Sequence, residues 1–169
     1  MFKVNDIVFL YWKIKGIGQK KIIRASASEE RDVCVIKSRQ LGLSEVAVES
    51  IIYWLDTHSK YKTKGLYAFP TYRQMNDFYA TRISPEFDKG YYKTLKSDKT
   101  FSMNKMAIRD SILFFRTSSK GASMEGVDCD YIGLDEYDRL DPLSEQSAIN
   151  FQWLYVVIHI EITSLKRAK

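Results

Sequence analysis

Residues 32–44 read DVCVIKSRQLGLS. The first half, Asp32 to Lys37, is short, apolar and β-branched, the mark of a strand buried on both faces. The chain then turns through Ser38, Arg39, Gln40, Leu41 and Gly42. Residues 44–57 (SEVAVESIIYWLDT) carry apolar side chains at Val48, Ile51, Ile52 and Leu55. That spacing predicts a helix, with Ser44 and Glu45 in its first turn. The stretch is therefore a strand, a polar turn and a helix in succession.

Such a unit can cradle phosphate, because the first N–H groups of a helix have no partner within it and face an incoming anion. The usual loop reads G-x-x-x-x-G-K-[ST]. Gly42 and Ser44 are in register with it. Leu43 holds the place of the usual lysine, and Lys37 stands where the first glycine would be. Lys37 leaves the strand end toward the cradle and supplies a cation for β- and γ-phosphate oxygens. Arg39 offers a planar fork to the same oxygens, Gly42 lets the backbone approach closely, and Ser44 places a hydroxyl on Mg²⁺. Taken alone, an ordinary strand–turn–helix connection with incidental polar residues reads the same way.

Outward from this unit, residues 64–69 (KGLYAF) predict a second strand, ended by Pro70, which cannot continue a ladder. Residues 71–82 predict a helix capped by Thr71. The intervening FPTYRQ, residues 69–74, reads as strand end and cap, without a catalytic role. Residues 101–117 alternate and predict one or two hairpins. Residues 130–134 (DYIGL) predict a further buried strand, which runs into Asp135 and Glu136. A carboxylate at a strand tip can hold Mg²⁺ through its waters, and the next can polarise an attacking water. A solvated acidic turn is the plainer reading of that pair by itself. Upstream, residues 19–28 (QKKIIRASAS) predict a short helix with Ile22, Ile23 and Ala27 on one side.

Strands alternating with helices predict an α/β fold with a mainly parallel sheet flanked by helices. Ligands bind at the carboxyl ends of such strands. Both polar constellations, residues 37–44 and Asp135 with Glu136, fall at those ends. Their joint occurrence predicts a P-loop nucleotide hydrolase.

With 169 residues, 45% of them hydrophobic and 28% charged, the chain can bury a core of one domain without cross-links. Cys34 and Cys129 lie in apolar runs and read as buried free thiols in a reducing compartment. Residues 1–127 carry 22 Lys and Arg against 13 Asp and Glu, a basic balance that suits a polyanion and equally an ordinary solvated surface. The apolar stretch at residues 7–12 is too short for a signal peptide or a bilayer span. His58 and His159 are isolated and read as neither metal ligands nor bases. Lys120 and Arg116 read as surface cations.

Three stretches, VCVIKSRQLGLSE (33–45), YAFPTYRQM (67–75) and SSKGASMEGVDCDYIGLDEYDR (118–139), together resemble the large terminase subunit of tailed phages. The resemblance spans residues 19–143. It implies a P-loop fold of the additional-strand kind, in which one strand lies between the loop strand and the acidic strand. It implies that Gln19 reads adenine and that Lys37, Ser38, Arg39, Gln40, Leu41, Gly42, Leu43 and Ser44 form the ATP phosphate loop. Ser44 and Asp135 would organise Mg²⁺, Glu136 would activate water, and Lys37 and Arg39 would assist catalysis. It further implies double-stranded DNA as the moved substrate, a portal protein and small terminase subunit as partners, and a ring of subunits on the portal in a host bacterial cytoplasm. No membrane partner is expected.

The chain also departs from that pattern. It is short for a nuclease domain, so no DNA cleavage is expected. The Ser/Thr-rich coupling segment that follows the acidic strand in the family is not recognisable. Residues 1–150 read as a truncated ATPase domain and residues 151–169 as an atypical tail with a strand at 156–162. A degenerate, catalytically poor P-loop fragment and a helicase-like P-loop ATPase remain as alternatives.

Overall fold

A computed structural model describes residues 32–37, 42–118, 127–136, 139 and 155–160, with backbone alone for 32–37, 98–100 and 155–160. The predicted helix at 19–28, Gln19, Lys120 and loop residues Ser38, Arg39, Gln40 and Leu41 lie outside the described residues.

Seven strands form one sheet: β1 (Asp32–Lys37), β2 (Lys64–Phe69), β3 (Lys96–Ser102), β4 (Lys105–Ile108), β5 (Ser111–Thr117), β6 (Tyr131–Asp135) and β7 (Tyr155–Ile160). Their spatial order is β1-β7-β6-β2-β5-β4-β3. The first five in that order run parallel, and β4 and β3 close the far edge as an antiparallel meander. The region predicted as one or two hairpins is thus three strands, the last of which crosses into the parallel set beside β2.

The strand expected in the final segment forms at Tyr155–Ile160, and it is central rather than peripheral. It pairs with β1 on one side and β6 on the other, Val35 opposite Ile158 and Ile158 opposite Asp135. One strand therefore separates the loop strand from the acidic strand, as the additional-strand kind of P-loop fold requires. With neighbouring strands ~4.8 Å apart, β1 and β6 lie roughly 10 Å apart.

Helix α1 (Leu43–Thr57) packs on one face of this sheet. Val48, Ile51, Ile52 and Leu55 are fully buried there, on the stripe its sequence spacing predicts. Two glycines permit the approach. A Cβ at Gly65 would meet Ile51 Cγ2 at 2.8 Å, and one at Gly133 would meet the Tyr67 ring at 2.5 Å and Ile51 Cδ1 at 2.9 Å.

Helix α2 (Tyr72–Phe78) starts where predicted, with Thr71 Oγ1 accepting from the Gln74 N–H at 3.3 Å. It passes into a π turn at Tyr79–Ile83 rather than remaining α-helical to residue 82. A third helix, α3 (Gly90–Leu95), was not foreseen; it is one and a half turns long and glycine starts it, so it carries no apolar period to read. Asp56 of α1 anchors it, accepting from Tyr91 Oη at 2.7 Å and from Arg109 at the β4–β5 turn. On the other face a smaller cluster gathers Leu66, Ala68, Cys129, Ile132 and Leu134. Cys129 is a buried free thiol, pushed up to about 12 by burial and then by Asp128 and Asp130. Among the described residues no helix is long and apolar enough to cross a membrane.

Candidate functional site

The carboxyl ends of β1, β6 and β2 and the start of α1 converge on one region. Gly42 precedes α1 with φ 67°, a left-handed conformation that costs glycine nothing, and among the described residues no side chain caps the helix there. The first N–H groups of α1 therefore keep their capacity for an anion. Leu43 is only 5% exposed, so its side chain belongs to the core.

Ser44, in the first turn of α1, donates from Oγ to Asp135 Oδ1 at 3.1 Å. The two residues are 91 positions apart in sequence. Asp135 ends β6 and is 7% exposed, buried beside the helix start. The site residues predicted for one metal are thus brought into direct contact. Lys37 ends β1, two residues beyond the Val35–Ile158–Asp135 row and two strands across from it. That places its backbone on the same sheet end as Asp135.

Glu136 directly follows β6 with φ 47°, an unusual conformation for a side-chain-bearing residue. Its Oε2 accepts from Gln74 Nε2 at 3.1 Å and from Arg139 Nη1 at 2.6 Å. Gln74 is itself held, since its Oε1 accepts from Thr71 Oγ1 at 2.9 Å. Sequence reasoning assigned the segment around Gln74 no functional contact. Two signals could have found it: Thr71-x-x-Gln74 is a capping-box pattern, and a helix following a parallel strand starts at the ligand end of the sheet.

Tyr67 of β2 lies beneath the Ser44–Asp135 pair, fully buried. Its hydroxyl faces both groups yet makes no well-formed hydrogen bond. Burial, and next the Asp135 charge, push the phenol well above its ordinary range, so it stays protonated and keeps a proton to donate.

Among the described residues no three His, Cys, Asp or Glu side chains gather to hold a metal alone. The donors present, one carboxylate and one hydroxyl, suit Mg²⁺, which keeps several waters and takes further oxygens from phosphates. Both the contact between them and the unmet phenol below fit a site for such an ion.

The strand order and this arrangement can be set beside solved structures. The ATPase domain of the large terminase of Thermus phage P74-26 superposes with a TM-score of 0.69 at 16% identity, covering 93% of this chain and 68% of that one. The chain has the fold of a phage large-terminase ATPase domain. The large terminase of the thermophilic bacteriophage D6E also aligns, with a TM-score of 0.63 at 12% identity, over 87% of this chain and 39% of that one. No family model and no curated protein matches the sequence. At such identities the terminase likeness is one of fold, and the α/β, P-loop-type architecture expected from the sequence is the architecture found.

Proposed function

We propose that this terminase-like chain is an ATP-hydrolysing motor domain that moves double-stranded DNA into a phage capsid. The observation that carries the reading is the 3.1 Å contact of Ser44 with Asp135, at the start of α1 and the tip of the acidic strand. Bound with ATP, Mg²⁺ would neutralise the β- and γ-phosphate oxygens and so ease departure of the γ-phosphoryl group. Ser44 and Asp135 would hold that ion, the former directly and the latter through water. The N–H groups at the start of α1 would receive phosphate oxygens, with Lys37 and Arg39 supplying positive charge and Gln19 the adenine contact.

Glu136 would orient and polarise the attacking water. Oε2 already holds two donors among the described residues, and Oε1 would be the acceptor for water. The terminase likeness further supports a portal protein, a small terminase subunit and a ring of copies as partners, in the cytoplasm of a phage-infected or prophage-bearing bacterium.

The test is ATP binding and DNA-stimulated hydrolysis by the wild type and Glu136→Gln. The variant is expected to bind MgATP within about threefold of wild type and to lose at least ~100-fold in turnover. Turnover that survives this substitution excludes Glu136 as the water-activating group. Leu43, buried in the place of the usual lysine, favours a second reading: a P-loop domain that binds nucleotide and hydrolyses it poorly. Wild type that binds MgATP but shows no turnover with or without duplex DNA supports that reading, and stimulation by single strands alone supports a helicase-like one.

A further inference from the structure

Tyr67 on β2 sits directly opposite Gly133 on β6. Asp135 is two residues beyond Gly133, so it shares that sheet face. Gly133 has no side chain, and the space a Cβ would take is filled by the Tyr67 ring, 2.5 Å from where it would stand. The ring leans across β6 through this gap. Phe69 packs edge-on against it with centroids 4.9 Å apart, and Phe115 does so at 6.4 Å, so the ring has little freedom to turn. Its hydroxyl, fully buried, lacks a well-formed hydrogen bond. A phenylalanine would fill the same space without leaving a polar atom unmet.

We propose that Tyr67 is a positioning residue for the metal site, its hydroxyl forming the floor on which the Asp135 carboxylate and Ser44 hydroxyl are set when Mg²⁺ and a triphosphate arrive. A Ser44 hydroxyl that offers an oxygen lone pair to the ion keeps its proton for Asp135 Oδ1, the contact seen at 3.1 Å. The Tyr67 hydroxyl, buried beneath both groups, donates to Asp135 beside that bond and fixes which carboxylate oxygen faces the site. Groups that orient metal ligands from behind influence metal affinity more than they influence binding of the rest of the ligand.

The inference rests on the MgATP reading above, and its test separates the two. Binding of a fluorescent ATP analogue is measured in EDTA and across a Mg²⁺ titration, for wild type, Tyr67→Phe and Tyr131→Phe. Tyr67→Phe is expected to leave affinity in EDTA unchanged and to raise the Mg²⁺ concentration for half-saturation roughly ten-fold. Tyr131→Phe removes a hydroxyl from the same face at the other end of β6 and is expected to leave the Mg²⁺ dependence unchanged. If Tyr67→Phe does not fold, Tyr67→Leu, which also lacks the hydroxyl, serves in its place. A Mg²⁺-responsive wild type with an unchanged midpoint in the Tyr67 variant overturns the role of Tyr67 alone. Equal loss of affinity with and without Mg²⁺ overturns it too, because that marks a general loosening of the core. A wild type indifferent to Mg²⁺ overturns both this inference and the nucleotide reading.

Discussion

At Gly133 a single hydrogen stands between the Tyr67 ring and β6. Gly133→Ala would force a Cβ into the ring and into Ile51, both enclosed on every side. Overpacking of this sort costs about 1–3 kcal/mol, which urea denaturation should show as a lower midpoint at unchanged slope. An unchanged midpoint would mean that β6 and α1 can separate freely. Glu49 offers a second residue-scale expectation. It lies on α1, accepts from Tyr92 Oη, and its carboxyl is raised to about 8 by burial, then by Glu86 and Glu45. The folded state therefore holds a proton that the unfolded chain releases above about 4.5, so stability falls as pH rises from there through about 8. Glu49→Gln, always neutral, should remove that decline and exceed wild type by roughly 2–4 kcal/mol at pH 9. Parallel stability curves for the two proteins across pH 5–9 would contradict it. Ser44 and Asp135 could be paired from the sequence because one is in register with the loop motif and the other ends an apolar strand. Tyr67 could not, since an aromatic in an apolar strand has no distinguishing pattern until the neighbour that leaves room for it is known.

Among the elements, the helix start after β2 is the most informative. Thr71 caps α2 and also holds Gln74 by its side chain, and Gln74 reaches Glu136 on a different strand. Thr71→Ala should cost about 1 kcal/mol of stability through the lost cap. It should also alter the rate of ATP hydrolysis while leaving MgATP affinity near wild type, because only the hold on Glu136 is disturbed. A rate equal to wild type would restrict Thr71 to capping. The strands and the main helix were legible because their periods are unbroken: β2 was bounded to the residue by Lys64 and the stop at Pro70, and α1 by its apolar stripe. α2 was legible at its cap and not at its end, where no proline or glycine marks the passage into the π turn. α3 escaped because six residues, three of them Gly, Tyr and Tyr in a row, present no amphipathic face long enough to detect.

Over the whole molecule the decisive feature is the position of β7. Residues 156–162 read as a strand in the sequence, within a tail at 151–169 unlike the family that the chain resembles; the strand formed is Tyr155–Ile160. In the sheet it lies between β1 and β6. Strand order is a long-range property: it depends on which edges remain unpaired once the other strands have assembled, and no local pattern encodes it. The phosphate turn and the acidic pair could be joined in advance only through the motif and the resemblance, because no local pattern shows what brings them together. Their meeting depends on α1 descending onto Gly65 and Gly133, which brings Ser44 to Asp135.

The central claim is that this meeting point holds Mg²⁺ with ATP. Isothermal titration of ATP into the wild-type protein and Asp135→Asn, each with and without Mg²⁺, tests it most directly. The predicted result is binding strengthened by Mg²⁺ in the wild type and a response reduced at least ~10-fold in the variant. ATP affinity that answers to Mg²⁺ equally in both proteins, or in neither, would contradict it.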